Sequence, residues 1–404
     1  MNISISPSRL AGTVKAPPSK SMAHRLLITA GLAEGTSVIR GIADSEDVLA
    51  TLDLLSALGA TCKKSGDTVT VTGTDPRCAE VTGAPSCREC GSTLRFFIPL
   101  CLLSEEEITL TGSERLFARP LGVYEKLCLE QGLTFRREQN SVTLCGPLRS
   151  GEFTLRGDVS SQFISGLLFA LPLCDGDSTI RLLPPVESRP YIDMTLDALA
   201  TFGVRAVWQD DLTLTVFGNQ TYTACQAQVE GDYSGAAFFL ALRTLGMDVE
   251  VTDLPPHTRQ GDRVCRDYFH ALQKGAPTLS IRDCPDLGPI LMAVAAAKHG
   301  CVLTDTGRLA IKESDRGAAM AEELLKFGVT VTRTENTILV PGGTLRAPEA
   351  PLSGHNDHRI VMSLATLCAL VGGKIEGAEA VRKSLPDYFD RMNSLGLEMI
   401  PYEA

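Results

Sequence analysis

Lys20 stands between Ser19 and Ser21, directly after Pro17-Pro18 and shortly before Arg25. The prolines disfavour helix before Ser19, serine is a good N-cap, and Leu26, Leu27, Ile28, Ala30 and Leu32 supply an apolar stripe, so a helix is expected to open here. Its unpaired N–H groups and the positive end of its dipole would join Lys20, Ser21 and Arg25 in holding a phosphate or carboxylate. Similar starts recur along the chain. Gly91-Ser92-Thr93-Leu94-Arg95 sets a glycine and two hydroxyls before an arginine, and Arg115 and Arg119-Pro120 bring further arginines to a helix start. Ser160-Ser161-Gln162 offers hydroxyls and an amide to a polyhydroxylated or phosphorylated ligand, although capping accounts equally well for one of the two serines.

Ionisable residues of the C-terminal half have the same bias. Lys312-Glu313-Ser314-Asp315-Arg316 packs alternating charge ahead of a helix expected from Gly317 to Leu325, Asp286 follows Pro285 at another helix start, and Lys383 precedes Pro386-Asp387-Tyr388. Each has a plainer reading: a charge run is usually a solvated face, and an Asp after a Pro is a good cap. Metal chemistry finds less support. Cys87-Arg88-Glu89-Cys90 is a lone C-x-x-C, His355 and His358 lack an H-E-x-x-H frame, and neither a P-loop nor a dinucleotide fingerprint is present, so no metal and no cofactor are expected.

Composition bounds the possibilities. The chain has 404 residues, 44% of them hydrophobic, a net charge of -10 and a mean hydropathy of +0.07. That length favours two domains, and the acidic balance argues against a broad nucleic-acid surface. No apolar run reaches the roughly 18 residues of a membrane span, and the N-terminus lacks basic and apolar leader regions, so no membrane association and a cytoplasmic location are expected. The thirteen cysteines, an odd number scattered over a long chain, read as small core residues of a reducing compartment.

What must position the candidate residues is a repeated unit. An amphipathic helix closed by Gly59 is followed by a strand, a Ser65-Gly66-Asp67 turn and a second strand. The order recurs around Gly132, Gly203 and Gly328, with abbreviated copies at Gly275 and Gly396. A more apolar helix precedes each copy, and its start is where the unusual residues fall. The unit is β-α-β-α-β-β, repeated six times. An α/β protein of two three-repeat domains is therefore expected, one spanning residues 17–230 and the other, discontinuous, spanning 1–16 and 231–404.

Pro18-Ser19-Lys20-Ser21 with Arg25, Gly91-Ser92-Thr93-Leu94-Arg95, Arg119-Pro120, Ser160-Ser161-Gln162, Ser188 with Arg189-Pro190-Tyr191, Lys312 to Arg316, Asn356-Asp357-His358-Arg359 and Lys383 together resemble the 5-enolpyruvylshikimate-3-phosphate synthase family, collinearly over nearly the whole chain. The resemblance implies two inverted α/β domains of three repeats and transfer of the carboxyvinyl group of phosphoenolpyruvate to the 5-hydroxyl of shikimate 3-phosphate, with no metal or organic cofactor. It further implies that Ser21, Arg25, Ser160, Ser161, Gln162, Ser188, Tyr191, Asp286 and Lys312 contact shikimate 3-phosphate. By the same resemblance Lys20, Gly91, Arg119, Gln162, Arg316, Arg359 and Lys383 contact phosphoenolpyruvate, Asp286 is the base toward the hydroxyl, and Glu313 and Lys20 move protons at the methylene carbon. A monomer working on small molecules alone is expected. Glu89 and Arg308 depart from residues common in the family. The alternatives are a sister enolpyruvyl transferase acting on UDP-N-acetylglucosamine, whose reactive-cysteine loop has no match here, and a silent anion-binding protein on the same scaffold.

Overall fold

The computed structural model describes residues 1–403. The chain divides into two compact units, Lys20–Glu230 and the combination of Met1–Ser19 with Gly231–Ala404. The change of unit falls after Ser19 rather than after Ala16. Pro17 and Pro18 are tied to the second unit, because the Asp232 N–H donates to the Pro17 carbonyl at 2.7 Å and Pro18 bridges to Gly231.

Within Lys20–Glu230, three apolar helices form the interior: Lys20–Leu32, Gly91–Cys101 and Ser161–Ala170. Three sheets surround them. The first orders Gln226–Gln228, Thr36–Arg40, Thr68–Thr72 and Thr61–Ser65; the second Ile108–Thr111, Ser141–Cys145 and Thr134–Arg137; the third Glu152–Arg156, Ser178–Leu183, Thr213–Val216 and Ala206–Trp208. The first and third each combine one parallel pair with two antiparallel ones, as a β-α-β-α-β-β unit requires. A fourth, two-stranded pairing joins Tyr222–Thr223 to Ala33–Glu34.

The other unit repeats the plan around Tyr233–Thr244, Gly288–Ala297 and His358–Val371. Every residue from Gly288 to Ala296 is buried, the condition under which an all-round apolar helix is stable. Each such Leu or Ile contributes about 1.5–3 kcal/mol by leaving water. The two short copies have visible causes. After the Cys265–Lys274 helix the chain runs straight into the first strand of the next sheet, and Met399–Pro401 completes its sheet by pairing antiparallel with the N-terminal strand Ile3–Ile5.

Outer helices are amphipathic. Glu46–Ala57 buries Leu52, Leu54 and Leu55 while Asp53 and Ser56 face water, and it ends at Gly59 with φ +104°, a conformation that side-chain-bearing residues resist. Gly166 has a different task. A Cβ there would meet the Tyr124 hydroxyl and lie 2.5 Å from the Arg95 carbonyl oxygen, so glycine lets the Gly91–Cys101 and Ser161–Ala170 helices touch. Among the described residues no helix is long and apolar enough to cross a membrane.

Candidate active site

In the unit formed by Lys20–Glu230, the starts of the three interior helices are stitched together by polar side chains. Lys20 Nζ pairs with Asp47 Oδ2 at 2.6 Å, both side chains being largely buried. Thr51 Oγ1 and Thr93 Oγ1 lie 2.9 Å apart, which ties the Glu46–Ala57 helix to the start of Gly91–Cys101. From there Ser92 Oγ accepts from Gln162 Nε2 at 2.8 Å, and Gln162 Oε1 accepts from Arg95 Nη1 at 2.7 Å, reaching the start of Ser161–Ala170. Ser160 is the cap of that helix, its hydroxyl accepting from the Gln162 N–H, and Ser161 is its buried first residue.

Arg25 is built into this wall rather than left on its surface. Its Nε donates to Thr195 Oγ1 at 2.9 Å, Nη1 to the Ser21 carbonyl at 2.7 Å and Nη2 to the Tyr191 carbonyl at 2.8 Å. Phe96 and Tyr191 rings flank the guanidinium. Burial pulls its pKa down to about 10, with the Tyr191 hydroxyl acting the other way. Ser188, just ahead of the Arg189–Thr201 helix, has φ +57°, a left-handed conformation costing on the order of 1 kcal/mol for a non-glycine residue. Arg119 is buried with its guanidinium against Gly91, where a Cβ would sit 2.5 Å from Nη1 and 2.8 Å from Cζ.

The second unit gathers the ionisable residues. Arg316 is 1% exposed and reaches three carboxylates: Nε to Asp357 Oδ2 at 2.8 Å, Nη1 to Asp286 Oδ1 at 2.8 Å and Nη2 to Glu313 Oε2 at 2.6 Å. Asp286 also receives Lys312 Nζ at 3.2 Å and Arg359 Nη2 at 3.1 Å. Three cations and three carboxylates thus share one wall. The Lys312–Arg316 run is no solvated face, and Asp286 spends its carboxylate on cations. The cap of the 3-10 turn holding Asp286 is Cys284, without a side-chain bond. Lys383 Nζ donates to the Asn356 carbonyl at 2.6 Å, just ahead of the His358–Val371 helix.

Burial shapes the charges of this wall. Lys312 is drawn down to about 8 by burial, with Asp286 opposing the shift and Arg308 and Arg316 adding to it. Asp357 is fully buried, which by itself favours the neutral acid; Arg316 more than offsets that and holds the carboxyl below its ordinary range. Arg316 in turn stays protonated despite burial because Asp357, Glu313 and Asp286 surround it.

Asp47 and Asp357 were beyond the sequence reading as partners of Lys20 and Arg316. Each sits at a helix start, where an acidic residue is ordinary, and Asp357 does cap its helix by accepting from the Arg359 N–H at 2.9 Å. The histidines of His355-Asn356-Asp357-His358 separate: His355 Nε2 meets Glu323 Oε1 at 3.0 Å, and His358 is buried beside Asp357.

The model of the family described as EPSP synthase (3-phosphoshikimate 1-carboxyvinyltransferase) matches residues 5–392. A 3-phosphoshikimate 1-carboxyvinyltransferase of Clostridium kluyveri is 38% identical over 98% of both chains, and one of Clostridium novyi is 37% identical over 98% of this chain and 97% of its own. A solved EPSP synthase from Acinetobacter baumannii superposes with a TM-score of 0.80 at 22% identity over 100% of each chain, which establishes the fold. With the family model covering almost the whole chain and relatives this similar along their full length, the protein belongs to the EPSP synthase (3-phosphoshikimate 1-carboxyvinyltransferase) family.

Proposed function

We propose that the protein transfers the carboxyvinyl group of phosphoenolpyruvate to the 5-hydroxyl of shikimate 3-phosphate and releases phosphate. The observation that carries this reading, within a chain of this family, is the pair of carboxylates Asp286 and Glu313 held on one buried arginine, Arg316. Both substrates are anions, and arginine suits the planar carboxylate and the phosphate by paired donors while lysine acts as a point charge. Lys20, Arg119, Arg316, Arg359, Lys383, Gly91 and Gln162 are assigned to phosphoenolpyruvate. Ser21, Arg25, Ser160, Ser161, Gln162, Ser188, Tyr191, Asp286 and Lys312 are assigned to shikimate 3-phosphate.

The chemistry then runs in two halves. An acid, Glu313 or Lys20, adds a proton to the methylene carbon of phosphoenolpyruvate, and the hydroxyl attacks the resulting cationic carbon as Asp286 takes its proton. The conjugate base left by that acid then takes a proton from the new methyl carbon as the carbon–oxygen bond to phosphate breaks, and Asp286 returns its proton to the departing phosphate. Before substrate binds, three cations face these carboxylates; bound anions offset part of that field, an effect of about 4 kcal/mol per unit charge at 4 Å and an effective dielectric constant of 20. Mass analysis of the acceptor after incubation with phosphoenolpyruvate tests the reading: shikimate 3-phosphate should gain one enolpyruvyl group. Modification of UDP-N-acetylglucosamine instead would replace it with the sister transferase.

Two consequences follow directly. Gly91→Ala pushes the Arg119 guanidinium off its seat, so the KM for phosphoenolpyruvate should rise by about tenfold or more with a smaller change in kcat. An unchanged KM would remove Arg119 from that site. Lys312 carries its charge below about 8 and loses it above. The KM for shikimate 3-phosphate should therefore climb as pH rises from about 7 to 9, and Lys312→Met should be weaker throughout and flat over that range. A wild-type KM that stays level, with Lys312→Met no weaker than wild type, would exclude Lys312 as the contact.

A further inference from the structure

Cys90 is paired by sequence with Cys87, yet the fold sets its sulfur against a different residue. Cys90 Sγ lies 3.9 Å from His24 Nε2, and one donor atom each from His24, Asp47 and Cys90 falls within 4.8 Å of the others. We propose that His24 Nε2, Cys90 Sγ and an Asp47 carboxylate oxygen form a binding site for Zn²⁺, and that its occupation draws Asp47 away from Lys20 and weakens phosphoenolpyruvate binding. The inhibitory half rests on the assignment of Lys20 to phosphoenolpyruvate; the binding half does not.

The donors match the metal. Zinc takes imidazole nitrogen, thiolate sulfur and carboxylate oxygen at about 2.0–2.3 Å in tetrahedral array, which sets donors roughly 3.3–3.8 Å apart, so only a small inward movement is needed. The imidazole is already oriented: Nδ1 is 2.7 Å from Thr51 Oγ1, which is itself held by Thr93, leaving Nε2 turned to the sulfur. Because Thr51 engages Nδ1, Nε2 is the ring nitrogen left to offer its lone pair. Cys90 accepts from the Thr93 N–H at 3.4 Å, a bond that a thiolate strengthens. A thiolate and a carboxylate together neutralise the ion. Lys20 and Asp47, with side chains 18% and 11% exposed, are the least buried groups here, so entry and a fourth ligand, water, would come from their side. Lys20 Nζ sits 2.6 Å from Asp47 Oδ2, so the ion competes for that carboxylate and its double charge repels the ammonium.

The test uses the full chain with Co²⁺ as an optical probe, displaced by Zn²⁺ under chelator buffering, and the KM for phosphoenolpyruvate measured with and without free zinc. Wild type should show a thiolate-to-cobalt charge-transfer band and a rise of about tenfold in that KM on zinc addition. Cys90→Ser keeps an oxygen to cap the helix, and His24→Asn keeps a polar partner for Thr51. Both should lose the band, bind zinc about 100-fold or more weakly, and show a KM indifferent to zinc. No band in wild type, or a band that survives Cys90→Ser, overturns the site. A Cys90-dependent band with a KM that zinc leaves unchanged upholds the site and overturns its coupling to Lys20.

Discussion

Asp286→Asn and Glu313→Gln should each lower kcat by about 10²–10⁴ while leaving the KM of both substrates within a few-fold. Both substitutions keep side-chain volume and a hydrogen-bond acceptor for Arg316, at 2.8 and 2.6 Å in the parent, so the wall stays assembled. What each removes is a group that can take up and release a proton. Arg119→Ala should behave differently. It deletes a charged hydrogen-bond donor worth about 1.5–3 kcal/mol to ground and transition states alike, so it should chiefly raise the KM for phosphoenolpyruvate. Near-full kcat in Glu313→Gln, together with an untouched KM in Arg119→Ala, would show that the roles are misassigned.

Arg316→Met should destabilise the folded protein by about 3–5 kcal/mol at neutral pH, the cost of leaving a buried carboxylate without its cation. Asp357 is that carboxylate: its side chain is fully buried, and its charge is held by Arg316 Nε at 2.8 Å. The sign of the pH dependence follows from its depressed folded-state pKa. In wild type that contribution is present above the ordinary carboxylate range, near 3.9, and is lost only as pH falls through the lower folded value. In the variant, burial without the cation drives Asp357 toward the neutral acid. The stability gap, read from urea-unfolding midpoints, should therefore be wide near pH 7.5 and narrow near pH 5. A gap that is constant between the two would mean that Arg316 acts through packing alone.

Much of the architecture could be read before any coordinates, because the repeat writes itself in glycines. Gly59, Gly132, Gly203 and Gly328 have positive φ, so few other residues serve there, and the helix-glycine-strand order survives wherever side chains diverge. The apolar helices announce themselves by composition, and their polar starts by contrast with it. The partners of the catalytic candidates were hidden for a physical reason. Asp47 and Asp357 occupy helix starts, where a carboxylate already has a local use, and only the tertiary fold shows that each also holds a cation far away in sequence. His24 was hidden similarly, within an apolar helical run whose periodicity says only that it is buried. Charge runs misled in the opposite direction: Lys312–Arg316 has surface composition, yet Arg316 is among the most buried side chains of the protein.

Proton transfer at carbon is the claim on which the site assignment stands, and isotope content of the product tests it most directly. Wild-type enzyme would be run with phosphoenolpyruvate and shikimate 3-phosphate in D₂O, and the vinyl methylene of the product examined by proton and deuterium NMR. Addition of a solvent-exchangeable proton from Glu313 or Lys20, followed by loss of any one of three methyl hydrogens, predicts deuterium in that methylene, at a rate that Glu313→Gln lowers along with turnover. A product formed at full rate with an entirely protiated methylene would mean that the carbon is never protonated, and the proposed mechanism would fail.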